Sequence, residues 1–122
     1  MRAMVVDDSR PIRRIESEIL RELGFDVRDA ANGREALTRL DEGSVPDVVL
    51  VDWNMPEMDG LEFIKSVRKD SRYSGIIMLM VTTETETDQM LRALSAGADE
   101  YLMKPFLKEG LVEKLRLLGV VK

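Results

Sequence analysis

Val48-Val49-Leu50-Val51-Asp52-Trp53-Asn54-Met55-Pro56-Glu57-Met58-Asp59-Gly60 is the stretch whose reading decides the fold. Its apolar start runs unbroken and stops at a carboxylate. Such a run, bounded by turn residues, reads as a strand buried on both faces. Asp52 then stands at the strand's carboxyl end, where an open α/β sheet keeps its ligand crevice. Pro56 presets a turn and Gly60 supplies permissive backbone. Asp59 is placed to cap a helix that begins near Leu61.

The pattern repeats in both directions along the chain. Met1 to Val6 is apolar and ends in Asp7-Asp8. Ser9 and Pro11 suit the start of a helix whose inner face carries Ile12, Ile15, Ile19 and Leu23, with Gly24 as its stop. Phe25 to Ala30 reads as a second strand. Asn32-Gly33 leads into a second helix through Ala36, Leu37 and Leu40, ending at Gly43. After the central strand, a third helix shows Leu61, Ile64 and Val67. Ile76 to Val81 is a wholly apolar fourth strand ending in Thr82-Thr83. A fourth helix places Met90, Leu91 and Leu94 inward and stops at Gly97. Glu100 to Met103 is a short fifth strand that ends at Lys104-Pro105. Leu111, Leu115 and Leu118 mark a fifth helix. Strand and helix alternate throughout, which predicts a parallel sheet with helices on both faces and right-handed crossovers. The expected class is α/β, a single flavodoxin-like (βα)5 domain with strand order 2-1-3-4-5.

Composition narrows the chemistry. With 122 residues the chain can build one domain with a real core. There is no cysteine and no histidine, so disulfides, thiolate metal sites and His-based catalysis are excluded. The net charge of -5 speaks against a general nucleic-acid binder. No apolar stretch is long enough to span a bilayer and no signal-peptide pattern opens the chain, so neither a membrane nor a nucleic-acid partner is expected and the location is expected to be cytoplasmic.

In the order 2-1-3-4-5 the first and third strands are neighbours at the switch point, so Asp7, Asp8 and Asp52 meet at one rim. Thr82 and Lys104 leave the adjacent strands at the same rim. Ionised carboxylates about 4 to 5 Å apart repel by roughly 4 kcal/mol a pair at an effective dielectric near 20. A divalent cation offsets that repulsion. Oxygen ligands without histidine or cysteine suit Mg²⁺, which keeps waters and shares a phosphate oxygen. Lys104 can neutralise a second phosphate oxygen and the Thr82 hydroxyl can donate to a third. A carboxylate can itself be the nucleophile, forming an aspartyl-phosphate.

With these residues in view, the chain resembles response-regulator receiver domains along residues 1–122, most of all those that stand alone in chemotaxis. The resemblance rests on Asp7-Asp8, on Asp52-Trp53-Asn54-Met55-Pro56-x-Met58-Asp59-Gly60, on Val81-Thr82, and on Tyr101 followed by Lys104-Pro105-Phe106. It implies a phosphoacceptor in two-component signalling, not a turnover enzyme. It implies that Asp52 takes a phosphoryl group from a histidine kinase. Mg²⁺ would be held by Asp8, Asp52 and the main-chain carbonyl of Asn54, with Asp7 acting through water. Lys104 would contact the phosphoryl group, and its bond to Pro105 would be cis. Thr82 and Tyr101 would form the switch, Tyr101 turning in from solvent. A downstream protein would meet the face built by the fourth helix, fifth strand and fifth helix. A phosphatase is a further possible partner. Self-phosphorylation from small donors and self-dephosphorylation are expected, with Asn54 and Glu84 reaching the attacking water.

Two other readings compete. A haloacid-dehalogenase-type phosphohydrolase also uses an aspartate nucleophile and Mg²⁺, but needs an acid two residues later, where this chain has Asn54. A receiver-like interaction domain independent of phosphorylation would not need a complete site. The chain departs from the family pattern at Thr83, which is bulkier than usual, and at Glu84, Glu86 and Asp88, which make the start of the fourth helix acidic. It ends a few residues past the fifth helix, so a stand-alone protein is expected.

Overall fold

The computed structural model describes residues 1–83 and 87–122. Five strands, β1 (Arg2–Val6), β2 (Asp26–Ala30), β3 (Val48–Val51), β4 (Ile77–Thr82) and β5 (Glu100–Met103), alternate with α1 (Arg10–Glu22), α2 (Gly33–Glu42), α3 (Gly60–Lys69), α4 (Thr87–Ala96) and α5 (Lys108–Leu117). The sheet order is β2-β1-β3-β4-β5 and every pairing is parallel. This is the flavodoxin-like arrangement expected from the alternation. A 3-10 turn at Ser71–Tyr73, which carried no sequence signal, links α3 to β4.

The caps form as their residue types require. The Ser9 hydroxyl accepts from the Ile12 N–H, Asn32 Oδ1 from Glu35, and Asp59 Oδ1 from Glu62. Each satisfies a donor that the first helical turn leaves unpaired. Asn32-Gly33 therefore opens α2, as expected.

Side chains alternate across each strand, so the sheet has two cores. Val49, Val51, Met78 and Met80 pack on one face with Leu40 of α2, Phe63 and Ile64 of α3 and Ala93 of α4. Val48, Leu50, Leu79 and Val81 pack on the other with Ile19 and Leu20 of α1 and Leu111 and Leu115 of α5. Every β3 side chain is buried, which is why that strand reads as an unbroken apolar run.

Two helix faces differ from the sequence expectation. In α1, Ile15 is 49% exposed, and the inward stripe runs through Glu16, Ile19 and Leu20. In α4, Leu91 and Leu94 are 57% and 43% exposed, while Ala93 is fully buried and Met90 half-buried. Hydrophobicity misleads at both places. A carboxyl occupies an inward position of α1, and a small alanine lets α4 approach the sheet while its leucines face out. No helix among the described residues is long and apolar enough to cross a membrane.

Candidate functional site

The parallel ladder extends past the strand ends. Asp52 N–H donates to the Val6 carbonyl at 2.9 Å, and Asp7 N–H donates to the Ala30 carbonyl at 3.1 Å. These bonds fix the backbone of both acids at the carboxyl rim. Asp7 is held further: its Oδ1 accepts from the Ser9 N–H at 2.8 Å, and its carbonyl accepts from Arg13 Nη1 at 2.7 Å. Asp7 and Asp52 are buried, and Asp8 is exposed at the mouth.

The loop after β3 closes tightly. Gly60 N–H donates to the Trp53 carbonyl at 2.8 Å. A Cβ at Gly60 would lie 2.1 Å from the Asp52 carbonyl oxygen, so only glycine permits this approach. Glu57 adopts φ +66° within the loop.

On the opposite side of the rim, the Lys104 N–H donates to the Thr82 carbonyl at 2.9 Å, and the Lys104-Pro105 bond is cis. Lys104 Nζ donates to Asp7 Oδ2 at 2.6 Å and stands 3.5 Å from Asp52 Oδ1. Carboxylate oxygens of Asp7, Asp8 and Asp52 lie within 4.8 Å of one another. Three hard oxygen donors, with no histidine or cysteine in the chain, fit Mg²⁺.

The electrostatics are crowded. Burial, reinforced by the Asp7 charge, pushes the Asp52 carboxyl up to about 6 against the opposing pull of Lys104. Burial works against the Lys104 ammonium, but its hydrogen bond to Asp7 and the charges of Asp52, Asp7 and Glu16 outweigh it and hold the ammonium above the usual lysine range.

The rim thus brings together Asp7, Asp8, Asp52 and Lys104. Thr82 is fully buried at the end of β4. Asn54 is exposed in the loop, and Glu84 lies outside the described residues. Tyr101 is 6% exposed and belongs to the core on the α2, α3 and α4 face. The expectation of a ring waiting in solvent is corrected: it is already packed inward. Sequence reasoning missed Glu16, buried on α1 within the field of Asp7, Lys104 and Asp52. Its one signal was a carboxylate interrupting the inward stripe of α1.

Parallel topology, an acid cluster at the switch point and a lysine just past β5 suit a protein that handles phosphoryl groups. Residues 3–116 match the family model described as response regulator receiver domain, and the chain belongs to that family. As a receiver domain it is a two-component phosphoacceptor rather than a turnover enzyme. It is 45% identical over 118 residues to the chemotaxis protein CheY1 of Helicobacter pylori, covering 96% of this chain and 95% of that protein. It is 44% identical over 116 residues to the chemotaxis protein CheY homolog of Campylobacter jejuni, covering 94% and 89%. Among solved structures, the chemotaxis response regulator CheY4 of Vibrio cholerae superposes with a TM-score of 0.89 at 40% identity, covering 96% and 97%.

Proposed function

We propose that this protein is a cytoplasmic chemotaxis regulator that carries a phosphoryl group on Asp52. The observation that carries this reading is the rim itself: three carboxylates within 4.8 Å, with Lys104 3.5 Å from the buried Asp52. A histidine kinase is the donor. An Asp52 carboxylate oxygen forms a bond to phosphorus as the donor's bond to phosphorus breaks, and the departing electron pair leaves with the donor. Asp8, Asp52 and the Asn54 carbonyl, with Asp7 through water, would hold Mg²⁺, which would supply charge neutralisation to the acids and to a phosphoryl oxygen. Lys104 neutralises a second oxygen and the Thr82 hydroxyl donates to a third. The preference for this reading over a phosphohydrolase is supported by Asn54, an amide where that class needs an acid.

Switching runs through Thr82 and Tyr101. Met80 pairs in register with Tyr101 and Thr82 with Met103. Alternation puts Thr82 and Tyr101 on the same side of the sheet. A phosphoryl group that draws the Thr82 hydroxyl favours one packing of Tyr101 over another, and only such a difference in affinity shifts the population. The output surface is the α4-β5-α5 face. It carries an open apolar hollow of about 610 Å³ bordered by Met90, Leu94, Tyr101, Met103 and Phe106, and Leu94 and Leu107 are exposed there. A protein target covering this hollow, and a phosphatase acting on Asp52, complete the partner set. The protein also takes phosphoryl from small donors and loses it to water positioned by Asn54 and Glu84.

The test is incubation with acetyl phosphate and Mg²⁺, followed by intact-mass measurement. One phosphoryl group per chain is expected, absent in Asp52→Asn. Continuous turnover of a generic phosphate ester, without a label on Asp52, would instead favour the hydrolase.

A further inference from the structure

Helix α1 carries a group that the chemistry above leaves unused. Glu16 is 1% exposed, and its Oε2 has no hydrogen-bond partner among the described residues. A carboxyl buried in this way is costly unless something uses it.

Two periodicities bring it to the site. In α1, Glu16 shares the buried stripe with Ile19 and Leu20, which pack on the sheet face that holds Val5, Leu50 and Leu102. Strand residues two apart share a face, so Asp7, Asp52 and Lys104 fall on that same side. The Glu16 carboxyl accordingly feels the charges of Asp7, Lys104 and Asp52. It is not one of the carboxylates gathered for a metal, so its route into the chemistry is Lys104.

The Lys104 ammonium has three donors. One is held by Asp7 Oδ2 at 2.6 Å, and Asp52 Oδ1 at 3.5 Å is a long second partner. To serve a phosphoryl group on Asp52, the ammonium must loosen its hold on Asp7, and a buried ammonium needs its donors met as it moves. The unpartnered Glu16 acceptor lies on the same face of the sheet and within the field of that ammonium.

We propose that Glu16 is a positioning residue of the phosphoacceptor site: its carboxyl oxygen accepts an N–H of Lys104 as that ammonium turns from Asp7 to a phosphoryl oxygen on Asp52. The proposal rests on Asp52 being the acceptor. Burial above all, with Asp7 and Asp52 assisting and Lys104 opposing, pushes the Glu16 carboxyl up to about 8. Glutamine, which keeps an accepting oxygen without charge, is therefore its close mimic near neutral pH.

The experiment compares wild type, Glu16→Gln and Glu16→Leu, with Glu16→Met held ready should leucine not fold. Labelling of Asp52 by acetyl phosphate at saturating Mg²⁺ is timed; acetate leaves with the electron pair as the Oδ–P bond forms. Beryllofluoride affinity is read from Trp53 fluorescence, and melting is followed in parallel. Glu16→Leu should melt at or above the wild-type temperature, since it removes an unpaired buried carboxyl. It should nonetheless label roughly tenfold more slowly, the weight of one hydrogen bond to a charged group. Glu16→Gln should recover most of the rate. In a Lys104→Met background, Glu16→Leu should not weaken beryllofluoride binding further. The proposal is overturned if Glu16→Leu labels at the wild-type rate, if Glu16→Gln is no faster than Glu16→Leu, or if the Lys104→Met background leaves the Glu16→Leu effect intact. A wild type that takes no label at all overturns the acceptor reading instead.

Discussion

Gly60→Ala tests whether the site is built by the β3 loop closing on itself. The new Cβ would meet the Asp52 carbonyl oxygen at 2.1 Å, its carbon at 2.9 Å and the Trp53 Cα at 3.0 Å. All three are main-chain atoms, so no side chain can swing aside. Ordinary contact begins near 3.4 Å, so the two backbone segments must part by about 1.3 Å. The Gly60 N–H bond to the Trp53 carbonyl holds them together at that point. Overpacking against such a constraint costs about 2 to 3 kcal/mol. For a domain of this size that lowers Tm by roughly 6 to 15 °C. The strand end carrying Asp52 moves with the loop, so Mg²⁺ affinity should fall by more than about tenfold, the effect of a ligand held out of place. Thermal unfolding and an Mg²⁺ titration, both read by Trp53 fluorescence, give the two numbers. Gly75→Ala is the control: nothing lies within 4 Å of its added Cβ. Melting of Gly60→Ala within about 2 °C of wild type, below the shift expected for 1 kcal/mol, together with unchanged Mg²⁺ binding, would refute the reasoning.

Three further outcomes are expected. In chelator, Asp52→Asn should be more stable than wild type by about 1 to 2 kcal/mol above pH 7, after allowance for solvent screening, because the raised carboxyl is ionised there at a cost. The native carboxyl at about 6 binds its proton more tightly than the unfolded one at 3.8, so its stabilising contribution is full below about pH 4 and lost as pH rises through 6; urea titrations at pH 4 and pH 8 should show the gap only at pH 8. Thr82→Ala should accept phosphoryl yet bind its target with little dependence on it, and an unchanged dependence in a pull-down would rule out the Thr82 route. Replacing Asn54 with Met, or Glu84 with Leu, should slow loss of label from Asp52 after donor removal without blocking labelling, and wild-type decay in both would assign the water to other groups.

The sheet was legible because its strands are buried on both faces. Val48 to Val51 and Ile76 to Val81 have no polar side, so no alternation had to be interpreted. The rim was legible for a related reason: each apolar run stops at a residue with chemistry, and topology then gathers those residues. The helices were harder. Helical periodicity identified α1 and α4 but not their inward faces. In α1 the inward position is Glu16, which hydrophobicity assigns to solvent, and the apparent inward residue Ile15 is exposed. In α4 the leucines belong to an open surface, and the core contact falls to Ala93, whose apolar signal is weak. Tyr101 was assigned to solvent from its expected role, yet the register that pairs it with Met80 puts it against the core. In both helices tertiary packing overrode a pattern read from one segment alone.

On the proposed function, the division of the sheet into two faces would let a small group work a larger surface. Asp7, Asp52, Lys104 and Glu16 fall on the side of α1 and α5, and there one lysine meets more carboxyls than it can neutralise. Thr82 and Tyr101 fall on the side of α2, α3 and α4. The two sets meet at the rim, where the Lys104 N–H donates to the Thr82 carbonyl. On that reading, an added phosphoryl group would redistribute charge among the first set. It would also offer an acceptor to the Thr82 hydroxyl, on the second. A close-packed interior responds by repacking between discrete arrangements rather than by graded deformation. The proposed repacking group is Tyr101, which borders the apolar hollow of the α4-β5-α5 face as well as the core. On the proposed function the rim would therefore act as the hinge between an electrostatic problem on one face and a packing change on the other.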